Sequence, residues 1–211
     1  MDLRTDLALI SEWIAEGSHV LDLGCGDGTL LAHLRDTRQV TGYGLEIDDD
    51  NIELCIQVGV NVIHTDLNKG LSDFADDSFD YVVMTQAIQT VCFPDKLLME
   101  MLRVGYEGIV TFPNFGHWQA RFSLFVGGVM PISRALPSEW YNTPNIHLCT
   151  LFDFEKLCDK LEIEVLQRTV VDTTHRTSWS MQLRPNLFGE IALYRFRRKP
   201  TARTYRGKVT G

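Results

Sequence analysis

The chain predicts an α/β fold: a doubly wound, mostly parallel sheet of seven strands, with an aromatic insertion after the fifth. Three observations predict it. Seven short β-rich runs largely alternate with amphipathic helical stretches along residues 5–198. The first run, Val20-Leu21-Asp22-Leu23, breaks into Gly24-Cys25-Gly26-Asp27-Gly28, and a helical pattern opens at Thr29. Glu46, Asp66, Thr85 and Pro113 each close a predicted strand, and sheets of this kind hold ligands beyond the carboxyl ends of their strands.

Each element follows from its residues. Residues 5–16 read as a helix with Leu7, Ile10, Trp13 and Ile14 on one face and Gly17 as its stop. Residues 19–23 form the first strand, and Tyr43–Ile47 close the second. Asp49–Val58 reads as a helix with Ile52, Cys55 and Ile56 inward, ended by Gly59. The third strand is expected over Asn61–Leu67 and the fourth over Ser78–Gln86. Pro94 opens a helix to Arg103 with Leu97, Leu98, Met101 and Leu102 apolar. Glu107–Phe112 is the fifth strand. Phe152–Leu161 reads as a helix, and Glu162–Val171 and Glu190–Arg198 read as the last two strands. Between the fifth strand and that helix lies Asn114–Thr150, rich in aromatic and turn residues. Its place at the mouth of the cleft suits a lid, a substrate site or a partner surface. The expected organisation is one domain over 1–198, with 114–150 as an insertion and 199–211 as a flexible basic tail.

Composition narrows the classes of function. The 211 residues carry 20 basic and 28 acidic side chains, a formal charge of −8. Seven of the basic residues (Arg195, Arg197, Arg198, Lys199, Arg203, Arg206 and Lys208) follow Glu190, the last acid, so the body holds 13 basic against 28 acidic residues. An acidic body argues against a broad nucleic-acid surface. No run of ~18 apolar residues suggests a membrane span, and Met1-Asp2-Leu3-Arg4 does not open a signal peptide. Cys25, Cys55, Cys92, Cys149 and Cys158 are odd in number and form no C-x-x-C pair. Free thiols in a reducing cytoplasm, with Cys25 as a small filler in the turn, are expected. No histidine–carboxylate cluster has metal spacing, so no metal is expected.

The glycine turn points to a nucleoside ligand. A strand, a tight turn and a helix N-terminus let the backbone approach a ligand closely. Glu46, about 20 residues on, stands where a carboxylate can accept hydrogen bonds from ribose hydroxyls. The turn reads G-x-G-x-G rather than the dinucleotide G-x-G-x-x-G, and Asp22 sits two residues before it. A pyrophosphate disfavours a nearby carboxylate, whereas a cofactor with a cationic amino-acid end favours one. S-adenosylmethionine is therefore preferred over NAD, and no Gly-Lys-Ser/Thr follows to make a P-loop.

With these motifs the chain resembles the class I S-adenosylmethionine-dependent methyltransferases, a Rossmann-like family, over roughly residues 1–112. The resemblance implies that Asp22, Gly24 and Gly26, with Cys25 between them, line the methionine part of S-adenosylmethionine or S-adenosylhomocysteine. It places Glu46 on the ribose, Asp66 on the adenine amino group, Ile47 and Leu67 on the adenine faces, and Thr85 and Gln86 at the border of the site. Further stretches are similar to the MetW family of methionine-biosynthesis proteins: Gln86-Ala87-Ile88-Gln89-Thr90, Gly105-Tyr106-Glu107-Gly108, His117-Trp118, Leu136-Pro137 and Trp140 to Thr150. This second resemblance implies a cytoplasmic bacterial protein that associates with MetX, the homoserine O-acyltransferase of methionine synthesis.

Two functions stay open at this point. Methyl transfer needs alignment of a nucleophile and, where that nucleophile is weak, a base. Gln86, Gln89 and Thr90, just past the fourth strand, cannot take a proton. His117, Tyr141 or His147 from the insertion could. The missing base favours a cofactor-binding partner that docks the acyltransferase through His117, Trp118, Trp140, Tyr141, His147 and their neighbours. The other reading is a methyltransferase acting on a small molecule.

Overall fold

A computed structural model describes residues 5–172 and 178–200. The strands are β1 (His19–Leu23), β2 (Thr41–Glu46), β3 (Val62–His64), β4 (Phe79–Thr85), β5 (Gly105–Pro113), β6 (Ile163–Val171) and β7 (Ile191–Arg198). They form one sheet in the order β3-β2-β1-β4-β5-β7-β6. The first five pair in parallel, and β7 enters antiparallel between β5 and β6. The strand order reverses between β1 and β4, which opens a crevice at their carboxyl ends.

The helices follow the apolar spacing. They are α1 (Thr5–Trp13), α2 (Thr29–Arg38), α3 (Asp49–Gln57), α4 (Pro94–Val104), α5 (Trp118–Phe122), α6 (Leu151–Lys160), α7 (Trp179–Leu183) and α8 (Pro185–Phe188). A π-helical turn, Ser123–Gly127, continues α5. Successive side chains of a strand point to opposite faces, so each central strand feeds two cores. Val20, Val83, Ile109 and Leu193 pack with Leu7, Ile10, Trp13 and Ile14 of α1 and Leu30, Leu31 and Leu34 of α2. Leu21, Val82, Met84, Val110 and Phe112 pack with Leu97, Leu98 and Met101 of α4 and Phe154 of α6. Pro at the start of α4 and a reciprocal capping box between Thr150 and Asp153 at α6 set where those helices begin.

Two sequence expectations are corrected. Ile56 is 65 % exposed, not inward: α3 lies over the sheet edge beside the three-residue β3, and Cys55 alone of its side chains is buried. The third strand stops at His64 rather than Leu67. Asp66 accepts the Asn68 amide N–H and turns the chain into a 3₁₀ turn, Leu67–Lys69, so it stands two residues beyond the strand end. Arg195, Arg197 and Arg198 lie in β7, as the sequence predicts. Arg195 pairs with Glu107 and Arg197 with Glu164, and Lys199 lies 3.7 Å from Asp159. Arg203, Arg206 and Lys208 lie outside the described residues.

Candidate functional site

The glycine turn is fixed by the end of β2. The amides of Gly24 and Cys25 both donate to the Leu45 carbonyl, at 2.8 and 3.1 Å. Gly24, Gly26 and Gly28 take φ of +70°, +56° and +76°, a left-handed run that side chains resist. A Cβ on Gly24 would stand 3.5 Å from Ala87 and 3.9 Å from Leu67, whereas one on Gly26 would meet only open space. The turn thus brings β1, the loop after β4 and the Leu67 turn to one place and leaves its crest bare.

Glu46 is bound tightly into this turn. Its Oε2 accepts the Gly26 N–H at 2.8 Å, and its Oε1 accepts the N–H groups of Ile47 and Asp48 at 2.8 and 3.0 Å. It closes the crest of the glycine turn onto the end of β2. Asp22 is the opposite case. It lies on the same strand face as Val20, is 1 % exposed, and its Oδ1 is sealed without a hydrogen-bond partner. Burial first, then the Glu46 charge, pushes its carboxyl up to about 7. The side chain of Cys25 turns into the packing, with Sγ 3.7 Å from that of Cys55 and close against Gly44. Burial raises both thiols.

The remaining expected residues divide. Ile47 is exposed at the end of β2, and Leu67 packs against the core edge. Asp66 uses Oδ1 for both the amide and the side-chain nitrogen of Asn68, and Asn68 Oδ1 accepts the Cys92 N–H at 2.8 Å. Thr85 ends β4 opposite Thr111. Gln86 next to it takes φ +55°, strained for a side-chain-bearing residue, and its N–H is held by the Thr111 carbonyl and hydroxyl. Strain of this kind gathers at functional sites.

A pocket of about 210 Å³ opens beyond Gln86 and Pro113, under the 114–150 segment. Thr90, Phe115, Leu136, Trp140, Asn145 and Leu148 help to line it, and none of its lining side chains titrates near neutral pH. His117 is not among them. It is buried beside a separate cavity of about 20 Å³ that Glu190 also lines. Desolvation lowers its pKa and Glu190 opposes that shift. Trp118 and Tyr141 are exposed, and the ring of His147 reaches the Cys92 carbonyl at 3.3 Å. The five aromatic and histidine candidates therefore do not converge on one point. Among the described residues no group of three or more His, Cys, Asp or Glu could hold a metal.

Sequence reasoning missed the groups that hold the segment in place. Asn114 donates to the carbonyls of Asn186 and Gly189 and accepts the Gly116 N–H. Asn186 accepts the Leu151 N–H. The side-chain nitrogen of buried Gln89 donates to the Pro113 carbonyl and the Cys149 sulfur, while its backbone carbonyl accepts the amides of Ile146 and His147. Asparagines that bridge residues 72 and 75 apart in sequence leave no periodic signal.

Fold and glycine turn together define the class I S-adenosylmethionine-dependent methyltransferase fold. A S-adenosylmethionine-dependent methyltransferase from Mesorhizobium loti superposes with a TM-score of 0.68 at 16 % identity, over 92 % of this chain and 98 % of that one. One from Archaeoglobus fulgidus gives 0.65 at 14 %, over 92 % of both. The [4+2]-cyclase SpnF gives 0.64 at 17 %, over 93 % and 81 %, so the same fold also hosts an enzyme named for other chemistry.

The chain belongs to the MetW family: residues 4–196 match the family described as methionine biosynthesis protein MetW. The bifunctional methionine biosynthesis protein MetXA/MetW of Rhodopirellula baltica is 36 % identical over 206 residues. That match takes in 93 % of this chain but 33 % of that protein, so the chain spans about a third of the relative's length.

Proposed function

We propose that this protein is a S-adenosylmethionine- or S-adenosylhomocysteine-binding accessory protein of methionine biosynthesis that docks on and activates the homoserine O-acyltransferase MetX. The observation that carries this is the pairing of a cofactor cradle with a neighbouring pocket that holds no base. The buried Asp22 carboxyl, short of a hydrogen-bond donor, suits a positive charge nearby, and the bare crest at Gly26 leaves room for a ligand. These fit the amino-acid end of the cofactor. Gly24 and Gly26 would bear on that end, Glu46 on the ribose, Asp66 on the adenine amino group, and Ile47 and Leu67 on the adenine faces. When bound, the cofactor supplies an electrophilic methyl group. Gln86 and Thr90 would border that methyl and cannot take a proton from an acceptor.

The relative that joins a MetXA part to a MetW part in one chain supports the partner. In this reading residues 1–198 act as one unit, 114–150 form its partner face, and the protein works in the cytoplasm. Among the described residues no helix is long and apolar enough to cross a membrane. The competing reading, methyl transfer to a small molecule, draws on the same 210 Å³ pocket at the ends of β4 and β5.

The test is acyl transfer to homoserine by purified MetX, with and without this protein, repeated with S-adenosylmethionine present. A rate that rises and saturates at a fixed stoichiometry is expected. No change in rate together with no co-elution removes the partner reading, and the search then turns to a methyl acceptor.

A further inference from the structure

Asp22 stands out among the buried groups of this molecule. It is 1 % exposed, and its Oδ1 finds no hydrogen-bond donor. An ionised carboxylate in that position has one oxygen cut off from water with no donor in exchange. The ionisable groups that bear on it offer no relief: Glu46 from the end of β2, the Cys25 thiol from the glycine turn and the Cys55 thiol from α3. Its ladder neighbours, Gly44 on β2 and Val83 on β4, are uncharged. The two oxygens of Glu46 already accept three backbone N–H groups.

We propose that Asp22 is the charge sensor of the glycine-turn site: it holds a proton in the free protein and releases it to solvent when the cationic amino-acid end of a nucleoside ligand settles against it. Contact between Asp22 and that end belongs to the cofactor reading above, on which this inference rests. The proton coupling is the new element. One O–H bond of the carboxyl breaks, the proton passes to the buffer, and the carboxylate left behind is neutralised by the ligand's positive charge. The site thereby ranks adenosyl ligands by the charge they carry, and acid weakens the binding of the charged ones only. Burial and Glu46 hold the free carboxyl near neutral, so the coupling acts just below pH 7.

The experiment is calorimetric titration of the full chain with S-adenosylmethionine and with 5′-methylthioadenosine, which has the same nucleoside but no amino-acid end. Each is run in two buffers of different ionisation enthalpy, between pH 5.5 and 7.0, a window in which the ligand's own ammonium stays charged. S-adenosylmethionine is expected to release close to one proton at pH 5.5 and to bind about tenfold tighter at pH 7.0. 5′-Methylthioadenosine is expected to release none and to bind equally at both. In Asp22→Asn, binding of S-adenosylmethionine is expected to weaken and to lose its pH dependence. Binding of S-adenosylmethionine with no proton released and flat affinity overturns the coupling and leaves the cofactor reading standing. Full pH dependence in Asp22→Asn also overturns it. If neither ligand binds at any pH, the cofactor reading falls and the coupling with it. Should Asp22→Asn not fold, the two ligands on the native protein decide the matter.

Discussion

Two carboxylates two strands' ends apart behave differently because their hydrogen bonding differs. Glu46 has three N–H donors and Asp22 has none for its sealed oxygen. Asp22 therefore works against folding at neutral pH. Its carboxyl sits near 7 in the folded chain and near 4 when unfolded. Between those values the folded state holds a proton that the unfolded state has lost, so stability falls as pH rises from about 4 to about 7, then levels. The shift corresponds to about 4 kcal/mol at most. Urea unfolding of the wild type and of Asp22→Asn across pH 4–8 should show the variant gaining on the wild type by up to that amount through this window. A constant difference between the two curves would mean that Asp22 titrates as an ordinary carboxylate.

At the scale of elements, the parts legible in the sequence were those set by local chemistry. The β1–glycine turn–α2 unit, the Pro94 start of α4 and the apolar faces of α1 and α4 lie where their spacing put them. Spacing misplaced Ile56, because it reports a helix's apolar face but not how much sheet lies beneath it. The candidate site was partly legible in the same way. Gly24, Gly26 and Glu46 announced themselves by position, whereas the anchors of the 114–150 segment join distant residues through single amides. Asn186 is the test case. Its side chain accepts the Leu151 N–H at the start of α6, its carbonyl accepts from Asn114, and it is buried. Asn186→Ala leaves that Leu151 N–H without a partner, at a cost of about 1–3 kcal/mol. Hydrogen exchange should quicken first at residues 114–121 and 151, with the central strands still protected. Uniform loss of protection would instead mark Asn186 as part of the global core.

Over the whole molecule, the sheet order brings motifs spread from Asp22 to Pro113 to one edge: β2, β1, β4 and β5 lie side by side, and their carboxyl ends share it. The antiparallel entry of β7 between β5 and β6 was not legible, because strand runs alone do not encode order. What the fold leaves unspent is apolar surface. From Trp118 to Ile132 the chain exposes Phe122, Leu124, Phe125, Val126 and Val129, with Phe125 at 90 %, and Trp140 and Tyr141 are about 70 % exposed. Apolar side chains facing solvent over such a stretch add little to folding, and under the proposed function they form the interaction face. Truncating them should then separate binding from stability. Phe125→Ser should change unfolding free energy by no more than about 0.5 kcal/mol, since it contributes almost nothing to the core. It should weaken the complex with the acyltransferase about 30-fold, the loss expected for one central anchor of about 2 kcal/mol. Trp140→Ala with Tyr141→Ala tests the other end of the segment by the same binding titration. If all three truncations leave affinity unchanged while the complex still forms, the 114–150 segment is not the interface, and the exposed Trp179 and Leu183 of α7 become the next face to truncate.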